Sequence, residues 1–151
     1  MKLERIINAL ELVSDDGCSF MNAKTGKLFH IYNTELEYAQ NGFAVYDSLP
    51  DWQRLNIQLA RRIIRSNCYV PLPVKEEIDE FQIMLNFCSS VSNYKIIDEI
   101  YNSLKSNNID VMILNEMIMQ NGLGNEWYKY KREAFKKIAI EWSKKNNIEF
   151  V

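Results

Sequence analysis

Apolar residues recur at steps of three and four along most of the chain, and polar residues fill the positions between them. This spacing places the apolar side chains on one face of an α-helix, so it predicts a series of amphipathic helices. Acidic residues at the start of one stretch and Asn-Gly at the end of another mark helix boundaries. The apolar stripes that predict helices lie at residues 3–13, 52–63, 78–88, 96–104, 111–118 and 127–142.

The segment CSFMNAKTGKLFHIY has the pattern of strands instead. Two β-prone runs flank a polar loop that contains Lys24, Thr25 and Gly26, which predicts a β-hairpin. Because side chains alternate along a strand, Ile31 and His30 are expected on opposite faces.

Two further segments interrupt the helical pattern. CYVPLP contains two prolines, which a helix interior excludes, so it predicts a short edge strand or an extended crossing. Residues 34–48 have a mixed pattern that fits a short helix or an irregular connection. The expected fold is α+β and predominantly helical, with an N-terminal helix and a small β-hairpin followed by a helical bundle.

The composition fits a globular protein with one core. The 151 residues are 47% hydrophobic and 25% charged, near the averages of soluble proteins. No internal repeat or change in composition divides the chain, so a single domain spanning 1–151 is expected.

The charge and the cysteines set further limits. A net charge of −2 produces no overall field that would coat nucleic acid, so any anion site must be local. Cys18, Cys68 and Cys88 are odd in number and far apart, which argues against a disulfide framework or a zinc site and is typical of the cytosol.

The chain shows no secretory signal and no stretch of about 18 apolar residues. A cytoplasmic protein is therefore expected.

No motif defines a catalytic, cofactor or metal site, and none of these sites is predicted. His30 is the only histidine, and the segment EEIDE carries carboxylates whose place at a helix start already explains them. An enzyme that uses His30 or these carboxylates remains a third hypothesis. It requires a concave pocket that gathers those groups.

A strip of basic residues stands out on the predicted helix that follows Pro50. Arg54, Gln58, Arg61 and Arg65 are spaced by four, three and four residues, and no acidic residue occurs between Trp52 and Lys75. Guanidinium groups on one helix face can hold phosphates or carboxylates through paired hydrogen bonds. Alternatively, they pair with the acidic segment EEIDE or remain solvated.

The segment NEWYKYKREAFKKIAIEW combines aromatic and basic residues, and two interpretations compete for it. On a helix, Trp127, Phe135 and Trp142 share one broad face, which favours core packing over stacking on bases. Glu133 lies within one turn of several lysines and partly neutralises them. The basic residues expected to form a secondary patch on the opposite side are Lys129, Arg132 and Lys136.

The chain contains three blocks that resemble, in order, a bacterial family catalogued as uncharacterised protein family 0158: ALELVSDDGCSFMNAKTGKL, PLPVKEEIDEFQIMLNF and GLGNEWYKYKREAFKKIAIEW. The resemblance implies one domain in the bacterial cytosol, and it carries no established activity, substrate or cofactor. Where members tend to have a basic, aromatic stretch resembling GAFRRFK, this chain has SNNIDVMILNEMIMQN. The exchange of basic residues for acidic residues and methionines leaves two interpretations, a different partner in this chain or core filling by Met112, Met117 and Met119.

The leading hypothesis is a non-catalytic cytosolic interaction protein, with a regulatory role, that binds a protein or acidic partner over a helical surface. Partner binding is assigned first to Arg54, Arg61 and Arg65. The alternative is nucleic-acid binding through the same arginines and the C-terminal basic helix, which requires steep salt dependence. The sequence does not identify the partner or the oligomeric state.

Overall fold

The computed structural model describes residues 2–42 and 46–151. Most of these residues lie in helices, and three short strands form one antiparallel sheet, which confirms the predominantly helical α+β fold. The helices are α1 (Leu3–Glu11), α2 (Asn33–Asn41), α3 (Asp51–Arg65), α4 (Lys75–Ile78), α5 (Glu80–Ser90), α6 (Tyr94–Lys105), α7 (Val111–Gln120) and α8 (Gly124–Lys145), and the strands are β1 (Gly17–Asn22), β2 (Leu28–Tyr32) and β3 (Tyr69–Pro71).

The chain packs as two compact units. The first unit contains Met1–Glu77 and Ala139–Val151, and the second contains Ile78–Ile138. Helix α8 contributes its first turns to the second unit and its last turns to the first. That the chain forms one domain over 1–151 stays a prediction.

The sheet of the first unit has the strand order β2-β1-β3, with β1 at its centre. The predicted hairpin is confirmed, because β1 and β2 pair antiparallel with Ser19 opposite His30 and Phe20 opposite Phe29. Strand β3 is the predicted edge strand, and it places Pro71 opposite Phe20. An edge position tolerates a proline that cannot donate a ladder hydrogen bond.

The core of the first unit lies between the sheet and helices α2 and α3. Ile31 of β2 packs with Ala60 and Ile63 of α3, and all three side chains are buried. From the last turns of α8, the Trp142 indole donates a hydrogen bond to the Pro71 carbonyl oxygen at 2.8 Å. This bond attaches the C-terminal part of the first unit to β3.

The predicted apolar stripe of α3 is wrong in its first half. Trp52 and Leu55 are 60% and 63% exposed, while Ile57, Ala60 and Ile63 form the buried side. The buried side is rotated by roughly a quarter of a turn from the predicted stripe. Packing against α2 and the sheet selects this side, although it is not the most apolar one.

Helices α5, α6 and α7 and the start of α8 form the core of the second unit. The prediction that the aromatic residues of the last helix face the core is confirmed, because Trp127, Phe135 and Trp142 are all buried. The buried cluster of the second unit consists of Met84, Phe87, Cys88, Ile96, Ile100, Leu114, Ile118 and Trp127.

Within the described ranges, no helix is both long and apolar enough to cross a membrane.

The helix expected around 76–88 is two helices rather than one. Asp79 adopts a left-handed backbone conformation with φ of 50°, and its carboxylate accepts a hydrogen bond from the Gln82 amide at 3.2 Å. Aspartate tolerates this conformation and caps helices well, so Asp79 ends α4 and starts α5.

The stretch 34–48, for which a short helix and an irregular connection were both open, begins inside helix α2. A single 3-10 turn follows at Tyr46–Ser48. Residues 43–45 of this stretch lie outside the described residues.

Candidate functional site

The solvent side of α3 combines apolar and basic residues. Leu55, Gln58, Arg62 and Arg65 are all exposed, and they follow one another at steps of three, four and three. Such spacing places them on one side of the helix, away from the buried residues. This side of the first unit is therefore available to a partner.

A depression of about 420 Å³ lies at the C-terminal end of this side. We call its lining the arginine face, which consists of Gln58, Arg61, Arg62, Arg65 and Ser66. The described residues that line it include no carboxylate. Three guanidinium groups thus surround one concave surface that lacks an internal counter-charge.

The structure separates the three arginines predicted as the main site. Arg54 donates from its guanidinium to the carboxylate of Asp51, one turn earlier in the helix. Arg61 lies with its guanidinium carbon 5.2 Å from the ring centroid of Tyr46, a cation–π contact that orients it. Arg65 is exposed on the arginine face. Arg61 and Arg65 therefore share one site, and Arg54 does not line it.

Arg62 is the member of the arginine face that the sequence pattern did not indicate. Its position becomes clear once Ile57 and Ala60 define the buried side, because Arg62 then lies opposite them. Arg62 and Arg65 also occupy the last turn of α3, where positive charge interacts favourably with the helix dipole. Part of their role is thus to stabilise the helix end.

The secondary patch on α8 belongs to the second unit. The Lys136 ammonium lies 3.9 Å from a carboxylate oxygen of Glu133, which confirms the partial neutralisation expected there. The Arg132 guanidinium carbon lies 6.0 Å from the ring centroid of Tyr128, and Lys129 is exposed. Partner binding by Lys129, Arg132 and Lys136 stays a prediction.

A second and larger depression, of about 600 Å³, lies between α1 and the hairpin in the first unit. Its lining includes the apolar residues Ala9 of α1, Leu12 directly after α1, and Leu28 of β2. The polar end of this depression, which we call the hairpin pocket, contains Ser14, Asp16, Ser19 and His30.

His30 makes two polar contacts inside the hairpin pocket. Its Nδ1 atom lies 3.1 Å from the Ser19 hydroxyl, and its Nε2 atom lies 3.6 Å from Oδ1 of Asp16. The Tyr32 ring meets the imidazole edge-on, with 5.2 Å between centroids. The His30 side chain is 34% exposed and lines the hairpin pocket.

Gly17 provides the space for this imidazole. A Cβ atom at Gly17 would overlap the Ile31 carbonyl oxygen and lie 2.8 Å from Nε2 of His30. The contact between Ser19 and His30 could have been predicted from the sequence. A hairpin loop centred between Lys24 and Thr25 places Ser19 directly opposite His30.

The Asp16 carboxyl group remains ionised to lower pH than an ordinary aspartate. The Ser14 hydroxyl donates to Oδ1 of Asp16, and this hydrogen bond is the main cause that lowers the pKa of the carboxyl group. The nearby His30 lowers that pKa further. Asp16 thus presents a carboxylate to the imidazole at neutral pH.

Three carboxylates of EEIDE have separate local partners. Glu77 accepts a hydrogen bond from the Val74 amide at 2.9 Å, Asp79 caps α5, and Glu80 pairs with Lys131 at 2.7 Å. Among residues 2–42 and 46–151, no group of three His, Cys, Asp or Glu side chains is placed to hold a metal ion.

These features define a mostly helical α+β protein with a small antiparallel sheet, a cationic depression on α3 and a histidine-containing pocket beside the hairpin. A family model described as "Uncharacterised protein family (UPF0158)" matches residues 1–151, and the chain belongs to this family. Neither a curated protein nor a solved structure matches the chain.

Proposed function

We propose that this protein is an interaction protein that binds an acidic segment of another protein through the exposed side of α3. The observation that carries the proposal is the arginine face, where Arg61, Arg62 and Arg65 surround one depression of about 420 Å³. Guanidinium groups bind carboxylates with paired, charge-assisted hydrogen bonds, and these bonds are stronger than neutral ones. The face itself carries no group that would perform chemistry.

The exposed apolar residues on the first turns of α3 favour a protein partner over nucleic acid. Leu55 and Trp52 are largely exposed on the first turns of the same helix. Tryptophan and arginine are the residue types that most often dominate protein–protein binding energy. A partner that suits this surface presents apolar side chains next to acidic ones.

Stabilisation of the helix end does not explain the whole surface. Favourable interaction with the dipole is worth about 0.3 to 1 kcal/mol for a charge in the last turn, which accounts for Arg62 and Arg65 there. It does not account for Trp52 and Leu55, which lie at the other end of α3 and remain exposed.

Nucleic-acid binding is the alternative, through Arg54, Arg61, Arg65 and the C-terminal basic helix. The arginines suit phosphates as well as carboxylates, and Trp52 offers an exposed ring for stacking. The net charge of −2 and the sequence pI of about 5.5 weigh against it, since most nucleic-acid-binding domains carry a strong positive field.

A cytoplasmic, regulatory setting accompanies the proposal. Cys18, Cys68 and Cys88 are all free thiols, and free thiols persist in a reducing compartment.

The experiment measures fluorescence anisotropy with two probes, an acidic peptide that contains leucine and phenylalanine and a single-stranded oligonucleotide. The test variant replaces Arg61, Arg62 and Arg65 by glutamate. The expected result is peptide binding by the wild type and a loss of at least about tenfold in the variant, since each tenfold is only about 1.4 kcal/mol. A matched control replaces by glutamate three exposed lysines that belong to neither predicted patch, Lys24, Lys95 and Lys105.

The proposal fails if the peptide does not bind or if both triple variants lose affinity equally. Tight oligonucleotide binding that weakens steeply as salt is raised would support the alternative instead, because each phosphate contact releases counterions. Circular dichroism of each variant checks that the helical content of the protein is retained.

A further inference from the structure

We propose that Ser19, His30 and Asp16 form a nucleophilic serine site in the hairpin pocket, which accepts a small ester with an apolar acyl group. This site lies on α1, the turn before β1 and the hairpin, so it does not depend on the arginine face. Its chemistry is acyl transfer to water.

The contacts of His30 determine which nitrogen acts as the base. Because Nε2 lies 3.6 Å from the Asp16 carboxylate, the imidazole proton is favoured on that nitrogen. Nδ1 then presents its lone pair to the Ser19 hydroxyl, 3.1 Å away. A serine within hydrogen-bonding reach of a base that a third group orients is the arrangement of an activated nucleophile.

The surroundings hold the imidazole in this orientation. Gly17 lies against the ring, where an added Cβ atom would come within 2.8 Å of Nε2, and the Tyr32 ring meets the imidazole edge-on. Ser19 and His30 are direct neighbours on paired strands, so the hairpin register determines their separation. The positions of nucleophile and base are thus set by the backbone rather than by loops.

The pocket determines the class of substrate. A volume of about 600 Å³ lies within the range of small-molecule sites, and such sites combine apolar walls with a few polar groups. Leu28 lines it on the same face of the hairpin as Ser19 and suits an apolar acyl group. Arg5 contributes the permanently charged donor of the lining, which suits an oxygen that becomes negative in the transition state.

The reaction balances with water as the second reactant. Oγ of Ser19 forms a bond to the carbonyl carbon of the ester and gives its proton to Nδ1 of His30. The bond from that carbon to the alkoxy oxygen breaks, and the alcohol leaves with the proton. Water then attacks the acyl-serine and gives a proton to Nδ1, the bond from the carbonyl carbon to Oγ breaks, the carboxylic acid leaves, and Ser19 regains its proton.

The test treats the full-length protein with an alkyl fluorophosphonate, which forms a stable bond with activated serines, at pH 8, where an imidazole is ordinarily neutral. Peptide mapping by mass spectrometry then locates the adduct. The expected result is one adduct on Ser19 of the folded protein and none on a heat-denatured sample. Ser19→Ala should abolish the adduct, and His30→Gln should slow it about 10²-fold or more, the usual contribution of a general base.

Three further variants separate the chemistry at Ser19 from general effects of substitution. Ser89→Ala changes an exposed serine of α5 that lies outside the pocket lining, so labelling of Ser19 should stay within about threefold of the wild type. Asp16 is a positioning residue, so Asp16→Asn should slow labelling and Asp16→Glu should restore part of the rate. Absence of an adduct, an adduct at another serine, or a rate unchanged by His30→Gln would each overturn the proposal.

Discussion

The Asn56 side chain donates a hydrogen bond to Oε1 of Glu35 at 2.9 Å and thereby connects α3 to α2. Glu35 is only 1% exposed, and its second oxygen accepts a hydrogen bond from the Tyr32 amide at 3.1 Å. Each oxygen of this buried carboxyl group therefore has a donor. A buried acidic group is tolerated when its hydrogen-bonding capacity is satisfied in this way.

Replacement of Asn56 by alanine should destabilise the protein by about 1 to 3 kcal/mol, because it leaves Oε1 of Glu35 buried without its donor. The free energy of unfolding is measured by urea denaturation. Gln53→Ala in the same helix is the control, and it should change that free energy by no more than about 0.5 kcal/mol. Equal losses in the two variants would show that the Asn56 contact contributes nothing specific.

Gly17→Ala should destabilise the protein by about 1 to 3 kcal/mol, the usual cost of an added group where no space exists. The new Cβ atom would overlap the Ile31 carbonyl oxygen, and backbone cannot move aside as a flexible side chain can. Gly124→Ala is the matched control, since its Cβ atom would meet the end of the flexible Met119 side chain, with the sulfur at 3.0 Å and Cε at 3.6 Å. Thermal unfolding of both variants tests the difference, and comparable losses would contradict it.

The parts of the fold that were predictable from sequence depend on local pattern. The hairpin followed from alternation around one polar loop, and the buried side of α8 followed from the spacing of Trp127, Phe135 and Trp142. The buried side of α3 did not follow, because it is selected by α2 and the sheet, which leave Trp52 exposed. The helix break at Asp79 was also not predicted, since an aspartate inside an apolar pattern does not indicate a left-handed backbone conformation.

The candidate sites were less predictable than the fold for a related reason. Arg61 and Arg65 were found because one helix contains both, whereas Arg62 required knowledge of which side of α3 is buried. The contact of His30 with Asp16 depends on the turn that joins α1 to β1, and no periodicity describes that turn. Sites that assemble side chains from several elements become visible only once the elements are packed.

Ser14→Ala should raise the pKa of the Asp16 carboxyl group toward its usual value, because the Ser14 hydroxyl is the main cause of the lowered pKa. A lowered pKa means that the carboxylate stabilises the folded state above the ordinary aspartate pKa of about 3.9. This contribution is lost as the pH falls through the pKa of the folded state, so wild type and variant should become equally stable in acid.

The measurement is a titration of the Asp16 carboxyl carbon by nuclear magnetic resonance in wild type, Ser14→Ala and His30→Gln. Because the Ser14 hydrogen bond exceeds the influence of His30, the shift in pKa should be larger in Ser14→Ala than in His30→Gln. The reverse order would show that the imidazole, not the hydroxyl, controls the charge of Asp16.

Cys88 is fully buried in the core of the second unit, whereas Cys18 and Cys68 are partly exposed in the first. Burial raises the pKa of the Cys88 thiol, because the apolar surroundings disfavour the thiolate. The thiolate is the form that attacks thiol reagents. Cys88 is therefore expected to react slowly in the folded protein, because the side chain is buried and its thiolate is disfavoured.

In native protein at pH 8, Cys88 should react with a disulfide reagent more than about 10²-fold more slowly than Cys68, since exposure of a core residue requires local opening that costs a few kcal/mol. Two variants that each retain a single cysteine, either Cys88 or Cys68, allow the rates to be compared by absorbance. In concentrated urea the two rates should converge, because unfolding removes the protection. Fast reaction of Cys88 in native conditions would mean that the second unit opens readily, and the buried cluster around Phe87 and Trp127 would not be a stable core.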